Sequence, residues 1–220
     1  MPQPSNQQVV EALLRRYGRT FASEAGIRLD RNTPAPLFRL LTMSLLVSAR
    51  ISADVAIAAT RALADAGWTT PASMLDSTWE QRTRVLDRAG YARYDESTAR
   101  YLERTTTLLV ERYEGDLRRL RDAADRDPVR EHDLLTEFTG IGDVGAHVFL
   151  REAQVVWDEL DPYVDERTLE TATSLALPST ATGLRRTVAD VGTFGRLVAA
   201  IVRVGLASDV DGVLAEAADR

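Results

Sequence analysis

The sequence has no cysteine, no lysine and only two histidines among its 220 residues. Without cysteine the chain makes no disulfide, has no thiol nucleophile and cannot ligate zinc or an iron–sulfur cluster through sulfur. All 27 basic residues are arginine, and a guanidinium group does not form the Schiff base that an amine forms. Imine chemistry is therefore excluded for every residue except at the amino terminus.

Long apolar runs are also missing. Charged residues interrupt each apolar stretch before the roughly 18 residues that a membrane span needs, and we expect no signal peptide. The composition, 45% hydrophobic and 27% charged, is typical of a globular chain of one or two domains. A formal net charge of -6 disfavours long-range attraction to polyanions, so such a ligand has to meet a local patch. We expect a cytoplasmic protein that does not bind membranes.

Apolar residues recur at helical spacings of three and four, beginning with Val9 and Leu13, and similar stripes follow along most of the chain. Glycine and proline interrupt the stripes where helices are expected to end, and no alternating strand pattern is evident. The sequence therefore predicts an all-α protein, a two-lobed bundle of about ten helices. We expect a barrel-like helical domain over residues 36–155 and a second lobe formed by residues 1–30 plus 165–220.

Residues 132–154 combine an apolar helix, a Gly-Ile-Gly turn and a second helix. Gly140 and Gly142 permit positive φ angles and a close backbone approach, and the first amides of the second helix have no partner within it. Such a turn can hold a phosphate. A plain αα-hairpin without a ligand fits the same pattern, so the turn alone does not decide between the two.

Four stretches in a fixed order resemble the endonuclease III superfamily of helix-hairpin-helix DNA glycosylases. They are PLFRLLTMSLLVSARISADVA at residues 36–56, LDRAGYARYDESTARYLERTTTLLVERYEGDL at 86–117, the hairpin FTGIGDVGA within 132–154, and YVDERTLETA at 163–172. The resemblance covers roughly residues 36–176. It implies an enzyme of base excision repair that flips a damaged or mismatched base out of the duplex and hydrolyses its N-glycosidic bond.

The resemblance assigns the catalytic role to Asp165. In the family, the matching aspartate stabilises positive charge that develops on the deoxyribose, and a fixed carboxylate suits that task. Asp165 is also a good N-cap for the helix that follows, and the two roles are compatible. Because the spacing from Gly142 to Asp165 is a few residues longer than in the family, Asp161 is the alternative.

The resemblance also implies that backbone amides of the hairpin hold a DNA phosphate, with a monovalent cation possible at the turn. It places these contacts at Gly140, Ile141, Gly142 and Gly145. Arg50 matches a glutamine near the gap left by the extruded base, and a guanidinium group can fill such a gap, although a plain surface arginine fits equally well. His147 falls where the family has a short polar residue near DNA. A surface or capping role also fits His147 and His132, and two imidazoles alone predict no metal site.

Aromatic residues are a further candidate set for contacting bases. Most tryptophans and phenylalanines fit the core of the bundle. Tyr91 and Tyr94 lie near a turn between two helices, and we expect these two to have a surface role.

The hairpin departs from the family in three positions. Val144 stands where bifunctional members carry their Schiff-base lysine, so β-lyase activity through lysine is not expected. As a structural residue, Val144 fits the apolar stripe of its helix. Asp143 and Gly145 replace residues that are usually basic and hydroxylated. Because a carboxylate beside a phosphate weakens DNA binding, we expect arginines to compensate. The candidates are Arg39, Arg50, Arg151, Arg185 and Arg186.

These observations predict a monofunctional DNA glycosylase that acts on double-stranded DNA without a cofactor and without an obligate protein partner. A non-catalytic helix-hairpin-helix module that binds damaged or structured DNA is the alternative, favoured by the missing lysine and by Asp143. A third hypothesis, favoured by the acidic charge balance, is a protein that keeps the fold but has another partner. The identity of the base is not specified by the sequence.

Overall fold

The computed structural model describes residues 4–49 and 51–219, and all regular secondary structure in these two ranges is helical. The α-helices are α1 (Asn6–Tyr17), α2 (Phe21–Glu24), α3 (Pro34–Val47), α4 (Ala53–Asp65), α5 (Pro71–Leu75), α6 (Trp79–Leu86), α7 (Asp95–Tyr113), α8 (Leu117–Ala123), α9 (Pro128–Thr136), α10 (Asp143–Ala153), α11 (Glu166–Ser174), α12 (Ala181–Arg185), α13 (Val191–Ala207) and α14 (Val210–Ala218). Three shorter segments with 3-10 or π geometry are Leu29–Arg31, Asp87–Tyr91 and Asp158–Leu160. The predicted all-α class is confirmed.

The helices follow local signals in the sequence. Most begin at a serine, threonine or aspartate whose side chain accepts a first-turn amide, as Ser52 does for α4 and Asp127 for α9. Eleven of the described α-helices have seven or more residues, close to the ten predicted. The other three, α2, α5 and α12, have only four or five residues, too few to show an apolar stripe.

The chain forms two compact units. The larger unit is Ala22–Glu159, and the smaller unit combines Met1–Phe21 with Leu160–Arg220. That each unit is a domain in its own right stays a prediction.

The boundary near the amino terminus differs from the predicted one. Residues 22–30 belong to the larger unit, whereas the sequence assigned residues 1–30 to the second lobe. The physical reason is a set of hydrogen bonds that periodicity does not reveal. The Ala22 amide donates to the Glu152 carboxylate over 3.0 Å, and the Arg39 guanidinium donates to two backbone carbonyls of this segment over 2.8 and 2.9 Å.

Helix α3 is the central helix of the larger unit. Nine of its 14 residues are buried, and α4, α7, α8 and α10 all pack against it. A helix that is apolar on every side is stable only when neighbours surround it. Because α3 is held by these helices, the segments that meet at its carboxyl end have fixed positions.

The smaller unit is built around α13. Helices α1 and α11 pack against α13, and α1 also contacts α14. Its core includes Leu13, Leu197 and the fully buried Phe194. None of the described helices in either unit has the length and apolar character needed to cross a membrane.

Candidate functional site

The predicted helix-hairpin-helix is present as α9, a six-residue turn and α10. Gly140 has a φ of +88°, a left-handed conformation that favours glycine. The Ile141 amide donates to the Phe138 carbonyl over 3.0 Å, and the Thr105 hydroxyl on α7 donates to the Thr139 carbonyl over 2.7 Å. The turn is therefore fixed both internally and to the rest of the larger unit.

The amino terminus of α10 opens at Gly142. This residue has an extended backbone, supplies no side-chain cap, and would meet nothing within 4 Å if it carried a Cβ. The first amides of an α-helix have no partner within the helix and lie at the positive end of its dipole. The start of α10 is therefore open to a negatively charged group.

Two of the four residues predicted to contact DNA at the turn have little exposed surface, and their contact with DNA stays a prediction. Gly145 is buried, and a Cβ on it would lie 2.2 Å from the Ser48 hydroxyl oxygen and 3.1 Å from the Ser44 carbonyl oxygen. Its role is to let α10 approach α3 closely. Ile141 is only 4% exposed and donates its amide within the turn. Gly140 and Gly142 are exposed, and their contact with DNA stays a prediction.

Val144 is also placed differently from the prediction. The sequence assigned it to the apolar stripe of α10, but the side chain is 59% exposed. On the same face of α10, Val148 one turn later is buried, whereas Val144 in the first turn is not covered. An apolar stripe in a sequence does not show which of its residues a neighbouring helix covers.

The two histidines lie together beside the turn. The ring centroids of His132 and His147 are 4.9 Å apart. The Nε2 atom of His132 is 3.6 Å from Asp143, whose side chain is 82% exposed, and its Nδ1 atom is 3.7 Å from Asp133. Among the described residues, no group of three or more histidine, cysteine or acidic side chains is arranged to hold a metal ion. A DNA-contacting role for His147 stays a prediction.

A pocket of about 430 Å³ borders the turn. It is lined by Leu45, Ser48, Ala49, Tyr94, Ser97, Thr98, Tyr101 and Gly140. Three of the four stretches that carried the sequence resemblance therefore meet at one place in the larger unit. Gly140 and Tyr101 are in close contact, since a Cβ on the glycine would lie 2.9 Å from the tyrosine ring.

The two tyrosines singled out in the sequence have different positions. Tyr94 lines the pocket, in agreement with a surface role. Tyr91 is fully buried, and its hydroxyl donates to the Leu46 carbonyl over 2.7 Å. Burial raises the pKa of Tyr91 to about 12. The prediction is therefore wrong for Tyr91, because a turn residue can point inward when a buried carbonyl accepts its hydroxyl.

The arginines expected to compensate for Asp143 are in part used elsewhere. Arg39 donates to backbone carbonyls, as described above, and Arg185 donates to Asp161 over 2.8 and 3.1 Å. Arg50 lies outside the described residues. Arg151 and Arg186 stay predictions. The bond to Arg185 also occupies the Asp161 carboxylate, which disfavours Asp161 as the alternative catalytic residue.

Asp165, in the smaller unit, is the N-cap of α11. One carboxylate oxygen accepts the Thr168 amide over 3.2 Å, and the other accepts the Thr168 hydroxyl over 2.8 Å. Asp190 caps α13 in the same way, with Thr193 as its partner over 2.8 Å in both bonds. The capping interpretation of Asp165 is confirmed. The side chain is half-buried and held in one orientation.

Sequence reasoning missed an acidic residue buried behind the hairpin. Glu131 on α9 is fully buried, and neither of its carboxylate oxygens accepts a hydrogen bond from a described donor. Burial first, and then the neighbouring Glu159 carboxylate, raise the pKa of Glu131 to about 9. Arg121 forms an ion pair with Glu159 and helps to keep the pKa of Glu159 low. Two facing carboxylates offer only acceptors, so a proton on Glu131 supplies the missing donor.

We expect Glu131→Gln to flatten the pH dependence of stability. Folded Glu131 keeps its proton up to about pH 9, whereas the unfolded carboxyl loses it near pH 4.3. Between these values the folded state holds more protons, so the free energy of unfolding falls as the pH rises, by at most about 1.4 kcal/mol per pH unit. Urea unfolding from pH 5 to 9 measures this slope.

Glu111→Gln, at an exposed position of α7, is the matched control and is expected to keep the wild-type slope. Equal slopes for the wild type and Glu131→Gln would contradict the protonated state of Glu131.

The structure thus defines an all-α protein with a helix-hairpin-helix whose turn borders a pocket. Searches of protein-family models and of curated proteins found no match. Among solved structures, the chain is similar to one described as a trapped endonuclease III–DNA covalent intermediate, an estranged-adenine complex. The two share 15% identity at a TM-score of 0.46, over 74% of this chain and 71% of the other. Because the identity and the TM-score are both low, the activity of that protein is not assigned to this chain.

Proposed function

We propose that this protein is a monofunctional DNA glycosylase. The observation that carries the proposal is the meeting of three separate turns, the carboxyl end of α3, the start of α7 and the α9–α10 hairpin, around one pocket of the larger unit. They belong to three of the four stretches that carry the sequence resemblance. Double-stranded DNA is the proposed ligand.

The hairpin is proposed to bind the DNA backbone. Gly142 leaves the start of α10 without a side-chain cap, and a phosphate oxygen can accept hydrogen bonds from these amides. Gly140 adds an exposed backbone without a side chain. Contacts of this kind fix the position of the protein on the duplex without reading its sequence. The hairpin carbonyls of Phe138 and Thr139 already accept hydrogen bonds, so no step is assigned to the cation that the resemblance implies.

Asp165 is proposed to assist hydrolysis. As the N-glycosidic bond breaks, the base leaves with the bonding electrons and positive charge develops at the sugar C1′ atom. A carboxylate fixed by Thr168 stabilises that charge and accepts a proton from the water that attacks C1′. Because the chain has no lysine, the product is an abasic site rather than a strand break.

A panel of duplexes with single modified or mismatched bases tests this proposal. The products are developed with and without hot alkali, which cleaves DNA at abasic sites. Breaks that depend on alkali for at least one lesion support the glycosylase. Breaks without alkali contradict the lysine-free mechanism, and an unreactive broad panel contradicts catalysis.

A non-catalytic module that binds damaged or structured DNA is the second candidate. It is favoured by the capping bonds of Asp165, which give that carboxylate a structural role without any catalysis. Under this candidate the protein binds lesion-containing duplexes but releases no base, and replacing Asp165 changes neither property.

The exposed Asp143 carboxylate is expected to limit DNA affinity. It lies in the first turn of α10, where its charge opposes that of a phosphate. We expect Asp143→Asn to tighten duplex binding by roughly threefold at physiological salt, a modest effect because exposed charges are screened. Fluorescence anisotropy with an end-labelled duplex measures the change.

Asp133→Asn is the matched control, because Asp133 is also exposed and lies at nearly the same distance from His132 but is not in the first turn of α10. Its affinity is expected to equal that of the wild type. If the two variants bind DNA equally well, the start of α10 is not the phosphate site.

A further inference from the structure

Helix α9 carries a histidine that lies between two carboxylates. The Nε2 atom of His132 is 3.6 Å from an Asp143 oxygen, and its Nδ1 atom is 3.7 Å from an Asp133 oxygen. Both distances are longer than a hydrogen bond, and Nε2 is buried without a hydrogen-bond partner among the described residues. A neutral imidazole has a single N–H donor, whereas a protonated one has two. Only the protonated form of His132 can therefore donate toward both carboxylates.

The other titratable or charged groups near His132 come from α8, α9 and α10. On α10, the His147 ring lies 4.9 Å away, and Arg151 follows one helical turn after His147. On α8, Arg121 is held in ion pairs of its own. On α9, the neighbouring Glu131 keeps its proton up to about pH 9 and adds no charge below that pH. Two positive imidazoles at this distance repel, so the histidine pair takes up one proton first, and the carboxylates favour His132 as its site.

Asp143 connects this histidine to the start of α10. It is the first residue of the helix, where the hairpin is proposed to bind a phosphate. A carboxylate there opposes the phosphate, and a proton on His132 offsets the negative charge of Asp143. A bound phosphate in turn favours the proton on His132, because coupling between two binding sites is reciprocal. An imidazole changes its charge within the range of about pH 5 to 8, so this coupling acts near neutral pH.

We propose that His132 takes up a proton when the hairpin binds DNA, so that the affinity for DNA rises as the pH falls below neutral. The inference rests on the proposed function, because the phosphate at the start of α10 provides the coupling. The complex then holds more protons than the free protein, and a lower pH favours the form that holds more protons. His132 and Asp143 together make the hairpin a pH-responsive DNA-binding element.

Fluorescence anisotropy with an end-labelled, fully paired duplex gives the dissociation constant at about pH 5.5 and about pH 8, two values on either side of the imidazole range. The ionic strength is held constant. The wild type is expected to bind about fivefold more tightly at the lower pH, the effect of one partly exposed ion pair. His132→Gln keeps a polar side chain that does not titrate. It is expected to reduce this ratio to about twofold or less, by weakening binding at the lower pH only.

Two further variants separate the members of the cluster. His147→Gln removes the neighbouring imidazole and is expected to keep the ratio of the wild type, because the proton resides on His132. Asp143→Asn is expected to tighten binding at the higher pH, for the reason given above, and to move the rise in affinity to lower pH, because His132 loses a carboxylate that favours its protonated form. Thermal melting at both pH values checks that each variant is folded.

Proton NMR of the free protein gives a readout that does not depend on DNA. The chain has only two histidines, so the spectrum of His147→Gln assigns the imidazole signals of His132. The midpoint of the His132 titration is expected to move to lower pH in Asp143→Asn, and to higher pH when duplex is added to the wild type. Glu111→Gln, at an exposed position of α7, is expected to leave the midpoint in place.

The outcomes distinguish this inference from the proposed function. Equal affinity of the wild type at the two pH values overturns the inference but leaves the proposed function standing. A ratio that persists in His132→Gln, or that is lost in His147→Gln alone, assigns the proton elsewhere and also overturns it. An unmoved His132 midpoint in Asp143→Asn overturns the coupling through Asp143. Failure to bind the duplex at either pH overturns the inference and the proposed function together.

Discussion

Replacing Asp165 with asparagine is expected to lower the rate of base release by about 10² to 10³-fold while leaving the protein folded. The carboxylate supplies a fixed negative charge beside a sugar that becomes positively charged as the bond breaks, and an amide does not. Asparagine is as good an N-cap as aspartate, so the start of α11 is preserved. Single-turnover assays on the reactive duplex measure the rate, and thermal melting measures stability.

Asp190→Asn is the matched control for this substitution. Asp190 caps α13 with the same pair of bonds to a threonine amide and hydroxyl that Asp165 makes to Thr168. It is expected to keep full activity, and both variants are expected to melt within a few degrees of the wild type. If Asp165→Asn retains wild-type activity, Asp165 is a capping residue only.

Gly145→Val is expected to destabilise the protein by about 3 kcal/mol. A Cβ at this position would lie within 2.2 Å of the Ser48 hydroxyl oxygen and 3.1 Å of the Ser44 carbonyl oxygen. The hydroxyl can rotate away at the loss of its bond to Ser44, but the backbone of α3 cannot move without disturbing the core of the larger unit. Urea unfolding measures the loss of free energy.

Gly142→Val is the matched substitution three residues earlier. The backbone of Gly142 is extended, and no described atom lies within 4 Å of its Cβ position. Stability is expected to change by no more than about 1 kcal/mol, whereas duplex affinity falls at least tenfold because the side chain lies in front of the first amides of α10. Destabilisation by Gly142→Val to the same extent as by Gly145→Val would contradict the separate roles of the two glycines.

The helical architecture was predictable from the sequence because longer helices carry an apolar stripe. Helices α4, α7 and α13 follow this rule, whereas the short α2, α5 and α12 have too few residues for a stripe. The boundary between the units was placed less well, because it depends on contacts such as Ala22 with Glu152 that join residues far apart in the chain.

The candidate site was predictable only at the level of segments. The stretches that contain Ser48, Tyr94 and Gly140 were singled out separately, but their meeting at one pocket depends on how α7 and α10 pack around α3. The predictions were wrong mainly about burial. Gly145 and Val144 are adjacent, but Gly145 is buried and Val144 is exposed. Glu131 carried no signal, because a glutamate on a charged helix resembles any surface residue.

Amide hydrogen exchange with and without a short duplex tests most directly whether the three turns form one DNA-binding surface. We expect slower exchange on DNA binding in residues 47–53, 91–98 and 138–145, with the first amides of α10 most strongly protected. Protection confined to other helices, or no protection at saturating duplex, would contradict it.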